Sequence, residues 1–156
     1  MELTHLDKNG NVKMVDVSGK PVTRREAIAR TIVDLPKEVV AAIDRDDIQT
    51  KKGSVIQTAV IAGIMAAKKT SDLIPLCHPI ALTNCNISIQ ITGNEMIIEC
   101  TAVTDSKTGV EMEALTGSTV AALTVYDMCK ALSHDIIIHE TKLMKKTGGK
   151  NDFERK

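Results

Sequence analysis

Apolar and polar positions alternate most cleanly between residues 85 and 102. Cys85, Ile87, Ile89 and Ile91 are separated by Asn86, Ser88 and Gln90, and Met96, Ile98, Cys100 and Ala102 repeat the pattern further on. A period of two sends every second side chain to one face, so each run predicts a half-buried strand. Gly93-Asn94 has the length and residue types of a hairpin turn, so Glu95–Thr104 returns beside the first strand. The period then changes. Gly109–Ala131, GVEMEALTGSTVAALTVYDMCKA, is the longest helical pattern in the chain, with a small, apolar middle running from Ala114 to Val125. Glu111 and Glu113 flank Met112 in its first turn, and Asp127 and Lys130 stand at i,i+3 in its last. Ionisable groups at both ends of an apolar helix imply a buried element whose ends line pockets.

The remaining segments are placed around these. Thr23–Val33 is ambiguous: Ile28 and Ile32 suit a helix, whereas the alternation Arg24, Glu26, Ile28, Arg30, Ile32 suits a half-buried strand. Pro36 fits the first turn of a short helix reaching about Asp44, with Val39, Val40 and Ile43 inward. Asp44–Lys52 reads as a charged loop. Ser54 then N-caps a long helix, VIQTAVIAGIMAAKK, with Lys68 and Lys69 at its negative end. That helix is apolar nearly all round, which normally means burial on every side, and in so small a chain this points to subunit contacts. Thr70–Pro79 is a loop stiffened by Pro75 and Pro79, and Ile136–Ile138 opens a last strand. A polar arm at about 1–20 is expected to be flexible, with its Met14–Val17 piece suited to docking, a neighbouring subunit being one place for it. The tail at about 147–156, with Gly148-Gly149, is expected to be mobile.

Taking Thr23–Val33 as a strand gives the order βαββαβ. That is an α+β, ferredoxin-like arrangement, a four-stranded antiparallel sheet with helices packed on one face. One domain spans 1–156, without internal repeats.

Composition narrows the function. Lys+Arg and Asp+Glu are equal at 20 each among 156 residues, so no global field draws in nucleic acid or an anionic membrane. One Tyr, one Phe and no Trp leave almost no surface for stacking bases. Cys77, Cys85, Cys100 and Cys129 form no CxxC pair and match no zinc spacing. The start has no signal-peptide pattern, and no apolar run approaches the roughly 20 residues of a membrane span. A reduced, cytoplasmic domain is expected.

Several residues carry candidate chemistry, each with a plainer alternative. Cys77-His78 sits between prolines; a nucleophile–base pair there is disfavoured because adjacent residues of an extended loop point apart. A histidine that binds phosphate or moves a proton competes with a purely structural one. Lys51-Lys52-Gly53 before a helix N-terminus can hold phosphate but is no Walker motif. Lys145-Lys146-Thr147-Gly148-Gly149-Lys150 is a second basic, glycine-rich stretch, otherwise a solvated tail. Glu111 and Glu113 are ligands or general acids, or else first-turn acids favoured by the dipole. Asp127 and Lys130 are either a surface pair or, inside a pocket, a proton donor and acceptor. Asp127 lies 14 residues after Glu113, about 21 Å along the axis at about 1.5 Å per residue. One small substrate cannot span that distance. Either the two ends serve different tasks, or a two-fold dimer sets an antiparallel copy alongside and makes two composite sites.

Four motifs then converge on one family. DLIPLCHP at 72–79, TGVEMEALT at 108–116, YDMCKA at 126–131 and KTGGK at 146–150 resemble cyclic pyranopterin monophosphate synthase, the C protein of molybdenum cofactor biosynthesis. The resemblance spans about residues 12–150. It implies a ferredoxin-like homohexamer, a trimer of dimers with sites at dimer interfaces. It also implies a substrate, 3′,8-cyclo-7,8-dihydro-GTP, supplied by an upstream radical SAM enzyme and converted with release of pyrophosphate. By the same resemblance, Asp127 and Lys130 take the proton transfers, and Lys52, His78 and Lys146 meet the triphosphate. Leu76, Cys77, Glu111, Met112, Glu113 and Lys150 complete the substrate set, with Glu111 and Glu113 on the purine-derived ring. No organic cofactor is implied; magnesium assistance at the triphosphate stays open. Ser54 stands where the family pattern has an acid, and it suits a helix cap instead. The rival readings are a non-catalytic oligomeric nucleotide-binding protein and a scaffold for other pathway enzymes.

Overall fold

The ambiguous segment near the start of the chain is a strand. In the computed structural model, which describes residues 7–156, β1 (Thr23–Asp34) buries Ala27, Ala29, Thr31 and Val33 on one face. The helix-like signal came from Ile28 and Ile32, which lie on the opposite, half-open face with Arg24, Glu26 and Arg30. Small residues beneath the helices let the sheet lie close to them.

After β1 the chain forms α1 (Lys37–Val40), which is shorter than the helix to Asp44 read from the sequence. Pro36 serves as its N-cap, and Ala42 N–H turns back to Val39, tightening the end instead of extending it. The charged stretch that follows is not a loop. It folds into a second, three-stranded sheet of β2 (Ile43–Asp44), β3 (Asp47–Thr50) and β4 (Gly53–Ser54), in the order β2-β3-β4. Arg45 and Asp46, both at positive φ (48° and 63°), make the reversal between β2 and β3. Asp47 then accepts hydrogen bonds from the amides of Ile48 and Ile56, and fully buried Ile48 anchors the small sheet in the core.

Next come α2 (Val55–Ala67), α3 (Thr70–Leu73), β5 (Asn84–Thr92), β6 (Glu95–Ser106), α4 (Glu111–Cys129), β7 (Ile137–Thr147) and β8 (Phe153–Glu154). Ser54 caps α2 as read from the sequence, its hydroxyl accepting from Gln57 N–H at 3.0 Å. Gly93-Asn94 closes the β5–β6 hairpin, with Gly93 at φ 63° supplying the conformation that a primed turn demands. The main sheet runs β5-β6-β1-β7-β8, every neighbour antiparallel. Its four long strands are those of the βαββαβ arrangement; the two-residue β8 adds a fifth by folding the tail back onto Lys145 and Lys146.

Two helices cover one face. α2 and α4 cross where Gly63 meets Gly117: a Cβ on Gly63 would lie 2.8 Å from the Gly117 carbonyl oxygen, and one on Gly117 would lie 2.6 Å from Cys100 Sγ. Either side chain would force the helices apart or lift α4 from the sheet. Met96, Ile98, Val33 and Val125 fill the layer beneath, each large side chain contributing roughly 1.5–3 kcal/mol by leaving water. Buried Thr31 is fully bonded, to Ser118 of α4 at 3.0 Å and Thr141 of β7 at 2.9 Å, tying helix to sheet without an unpaired hydroxyl. α2 is not covered all round by its own chain. Ile61 and Met65 lie 58% and 53% exposed on its outer side, and Leu123 of α4 is 54% exposed. No helix among the described residues is long and apolar enough to cross a membrane.

Candidate active site

The N-terminal end of α4 opens onto a cavity of about 440 Å³. Glu111, Met112 and Glu113 form one wall, Leu76, Cys77 and His78 a second, and Val15, Val17 and Lys20 of the N-terminal arm a third. The first wall is set by the helix: three successive residues of its opening turn fan outward around the axis. Glu113 is only 3% exposed, and burial pushes its carboxyl up to about 7, with the Glu111 carboxylate adding to the rise. A carboxyl at that value can give or take a proton near neutral pH. Glu111 instead has a cation, accepting from Lys146 Nζ at 3.0 Å. Burial, then Glu113, push the Cys77 thiol up, which disfavours the thiolate that a nucleophile needs. His78 Nε2 lies 2.8 Å from the carbonyl oxygen of Val15. A smaller hollow of about 110 Å³ shares Glu111 and is lined by Arg25, Lys146 and Lys150 among others.

The other end of α4 carries a different arrangement. Asp127 accepts from Lys130 Nζ at 2.7 Å and from Lys52 Nζ at 3.1 Å. The Lys130 bond and then the Lys52 bond hold the Asp127 carboxyl below its usual range, and Asp127 in turn raises Lys130. All three side chains are about half exposed, at 53%, 49% and 62% for Asp127, Lys130 and Lys52. The unexpected small sheet is what brings Lys52 here. Lys51-Lys52 is the turn between β3 and β4, held by Thr50 Oγ1 accepting from Lys52 N–H at 3.1 Å and by Gly53 at φ 101°.

The residues singled out from the sequence therefore separate into two groups. Leu76, Cys77, His78, Glu111, Met112, Glu113, Lys146 and Lys150 gather at one end of α4, and Lys52, Asp127 and Lys130 at the other. The 13 residue steps from Met112 to Val125 alone span about 20 Å at about 1.5 Å each, so no single small molecule touches both groups of one chain. Sequence reading missed the wall formed by Val15, Val17 and Lys20, and Arg25, which donates to the carbonyls of Ser106 and Lys107 at 3.0 and 3.3 Å. The Met14–Val17 piece was legible as a docking element; it docks on its own chain. Lys20 had only a turn-like Ser-Gly-Lys-Pro context to mark it. Among the described residues, no three His, Cys, Asp or Glu side chains cluster in a way that would hold a metal ion.

Comparison with known proteins matches residues 14–149 to the model of the MoaC family. The chain is 52% identical over 152 residues to the cyclic pyranopterin monophosphate synthase of Xanthomonas oryzae pv. oryzae, covering 97% of this chain and 92% of that protein. It is 49% identical over 156 residues to the synthase of the same name from Peptoclostridium acidaminophilum, covering 99% and 98%. A molybdenum cofactor biosynthesis bifunctional protein of Synechocystis sp. is 52% identical over 157 residues; the chain spans 45% of that longer relative.

Proposed function

The chain belongs to the MoaC family, and we propose that it is a cyclic pyranopterin monophosphate synthase of molybdenum cofactor biosynthesis. Its substrate would be 3′,8-cyclo-7,8-dihydro-GTP, delivered by a radical SAM enzyme, and its second product pyrophosphate. The observation that carries the chemistry is the meeting of Lys52 with Asp127 and Lys130 from segments 75 residues apart in sequence.

The reaction demands two kinds of work. Rings must open and rebuild by proton transfer, and a sugar hydroxyl must displace pyrophosphate at the innermost phosphorus. In the second step the hydroxyl loses its proton, its oxygen bonds to phosphorus, and the bond to the bridging oxygen breaks with its electrons going to pyrophosphate. Cations that neutralise the departing charge accelerate such a step without a nucleophile. We assign that role to Lys52 and Lys146, and the proton transfers to Asp127 and Lys130. Glu113, buried and poised near neutral, faces the purine-derived ring with Glu111. In the open cluster the two lysines hold Asp127 ionised; covering the cluster would desolvate it, raise the carboxyl and lower the ammonium, moving both toward the range useful for proton transfer. Magnesium arriving on the triphosphate belongs to the substrate in this scheme.

Covering requires a second copy. We propose a two-fold dimer in which α4 of one subunit runs antiparallel to its partner, so that Glu113 of one and Asp127 of the other face one substrate. Three such dimers would form the hexamer, working in the cytoplasm where GTP-derived intermediates are made. The exposed Ile61, Met65 and Leu123 on the helical layer support burial against another subunit. Incubating purified protein with the cyclic GTP intermediate tests the activity. Stoichiometric pyrophosphate release is expected; tight binding with no release would favour a nucleotide-binding protein, and no binding a scaffold.

A further inference from the structure

We infer that His78 is a positioning residue: it latches Val15–Ser18 of the arm across the cavity, so that the turn they form lines the wall the substrate meets. This rests on the reading that the cavity at the N-terminal end of α4 receives the substrate.

A carbonyl oxygen only accepts, so the 2.8 Å contact from His78 Nε2 to Val15 fixes a proton on that nitrogen. The loop beneath is rigid enough to serve as an anchor, with Cys77 N–H bonded to Ile74 at 3.1 Å and Pro79 immediately after His78.

A second anchor acts three residues further along. Lys107 Nζ donates to the carbonyl of Ser18 at 2.7 Å, from the segment that joins β6 to α4. Between the anchors the arm bonds to itself: Asp16 Oδ1 accepts from Ser18 N–H at 2.8 Å and from its hydroxyl at 2.6 Å, and Lys20 N–H returns to Val17 at 3.0 Å. The result is a preformed turn that presents Val15, Val17 and Lys20 to the cavity. Both anchors grip backbone carbonyls, so they fix where the turn sits and leave its side chains free to line the cavity.

Little else holds the segment down. Val12, Met14 and Val22 are 69%, 49% and 60% exposed, so apolar burial contributes little on either side of the turn. The described backbone bond nearest the chain start, Asp7 N–H to Asn11, is internal to the arm. Losing one anchor should therefore free the turn locally while the sheet and helices stay folded.

The test pairs amide hydrogen exchange of residues 12–20 with steady-state kinetics on the cyclic GTP intermediate, using the full-length protein. His78→Ala should speed exchange across that peptide about tenfold, the scale of one lost hydrogen bond, and raise KM similarly with kcat changed far less. His78→Gln places an amide N–H near where Nε2 stands but cannot shuttle protons; it should restore both protection and KM. Lys107→Met should loosen the same peptide by its own route. Unchanged exchange in His78→Ala, or a Gln variant as impaired as Ala, would overturn the latch. Exchange is read without turnover, so the latch stands or falls separately from the assigned activity.

Discussion

The two ends of α4 hold similar residues in opposite circumstances. At the N-terminal end, Glu113 lies in the cavity wall, only 3% exposed, and its carboxyl is pushed up to about 7. At the C-terminal end, Asp127 lies in the open between two lysines and is held ionised. Burial without a cation raises a carboxyl; cations without burial lower it. One end thus holds a buried carboxyl that no salt bridge reaches among the described residues, and the other a charge cluster lacking a pocket. The proposed composite site would set the buried carboxyl beside the open charge cluster.

The sharpest break between the ends should appear on removing charge at the open one. Lys130→Ala should cost about 10²–10⁴ in kcat if the ammonium transfers a proton, while the melting temperature stays put because exposed ion pairs add little to folding. Parallel losses of turnover and melting temperature would mean a merely structural pair.

At the buried end the comparison predicts a pH signature. The unfolded Glu113 carboxyl ionises near 4.5 and the folded one at about 7. Below 4.5 both states are protonated and this carboxyl adds no pH dependence to stability. Between 4.5 and 7 the unfolded chain releases its proton first, so stability falls as pH rises, by up to about 3 kcal/mol, and levels off above. Glu113→Gln should flatten this slope in urea titrations across pH 4–8 and remove the neutral-pH limb of kcat/KM. A slope that survives the substitution would assign it to another group.

The smallest effect should come from Ser54, which lies beside the open cluster in sequence yet only caps α2. Ser54→Ala should lower stability by about 1 kcal/mol and leave kcat unchanged. A large loss of kcat would show that the hydroxyl reaches the substrate.

What the sequence disclosed follows from the length over which each pattern runs. β5, β6 and α4 repeat their period for nine residues or more, and their type and even the Gly93-Asn94 turn are readable from it. The small sheet is not, because strands of two to four residues cannot show a period, and its turn puts Arg45, a residue with no turn preference, at positive φ beside Asp46. β1 misleads because its isoleucines occupy the open face while alanines line the core. The same holds for the site. Residues on one helix are related by counting, so the separation of Glu113 from Asp127 was visible beforehand. Contacts made across the fold, Lys52 to Asp127 and Lys146 to Glu111, depend on where the small sheet and β7 end up. The arm's anchors escape notice for another reason: they grip carbonyls, which every residue has.

The composite site is tested most directly by mixing subunits. Glu113→Ala and Asp127→Ala proteins, each inactive, are unfolded, combined in equal amounts and reassembled. A mixed dimer then holds one site with both residues changed and one with both intact. With random pairing, half the dimers are mixed and half their sites work, so about one quarter of wild-type activity should return. If both groups instead acted within one chain, every subunit would stay defective and no activity would return.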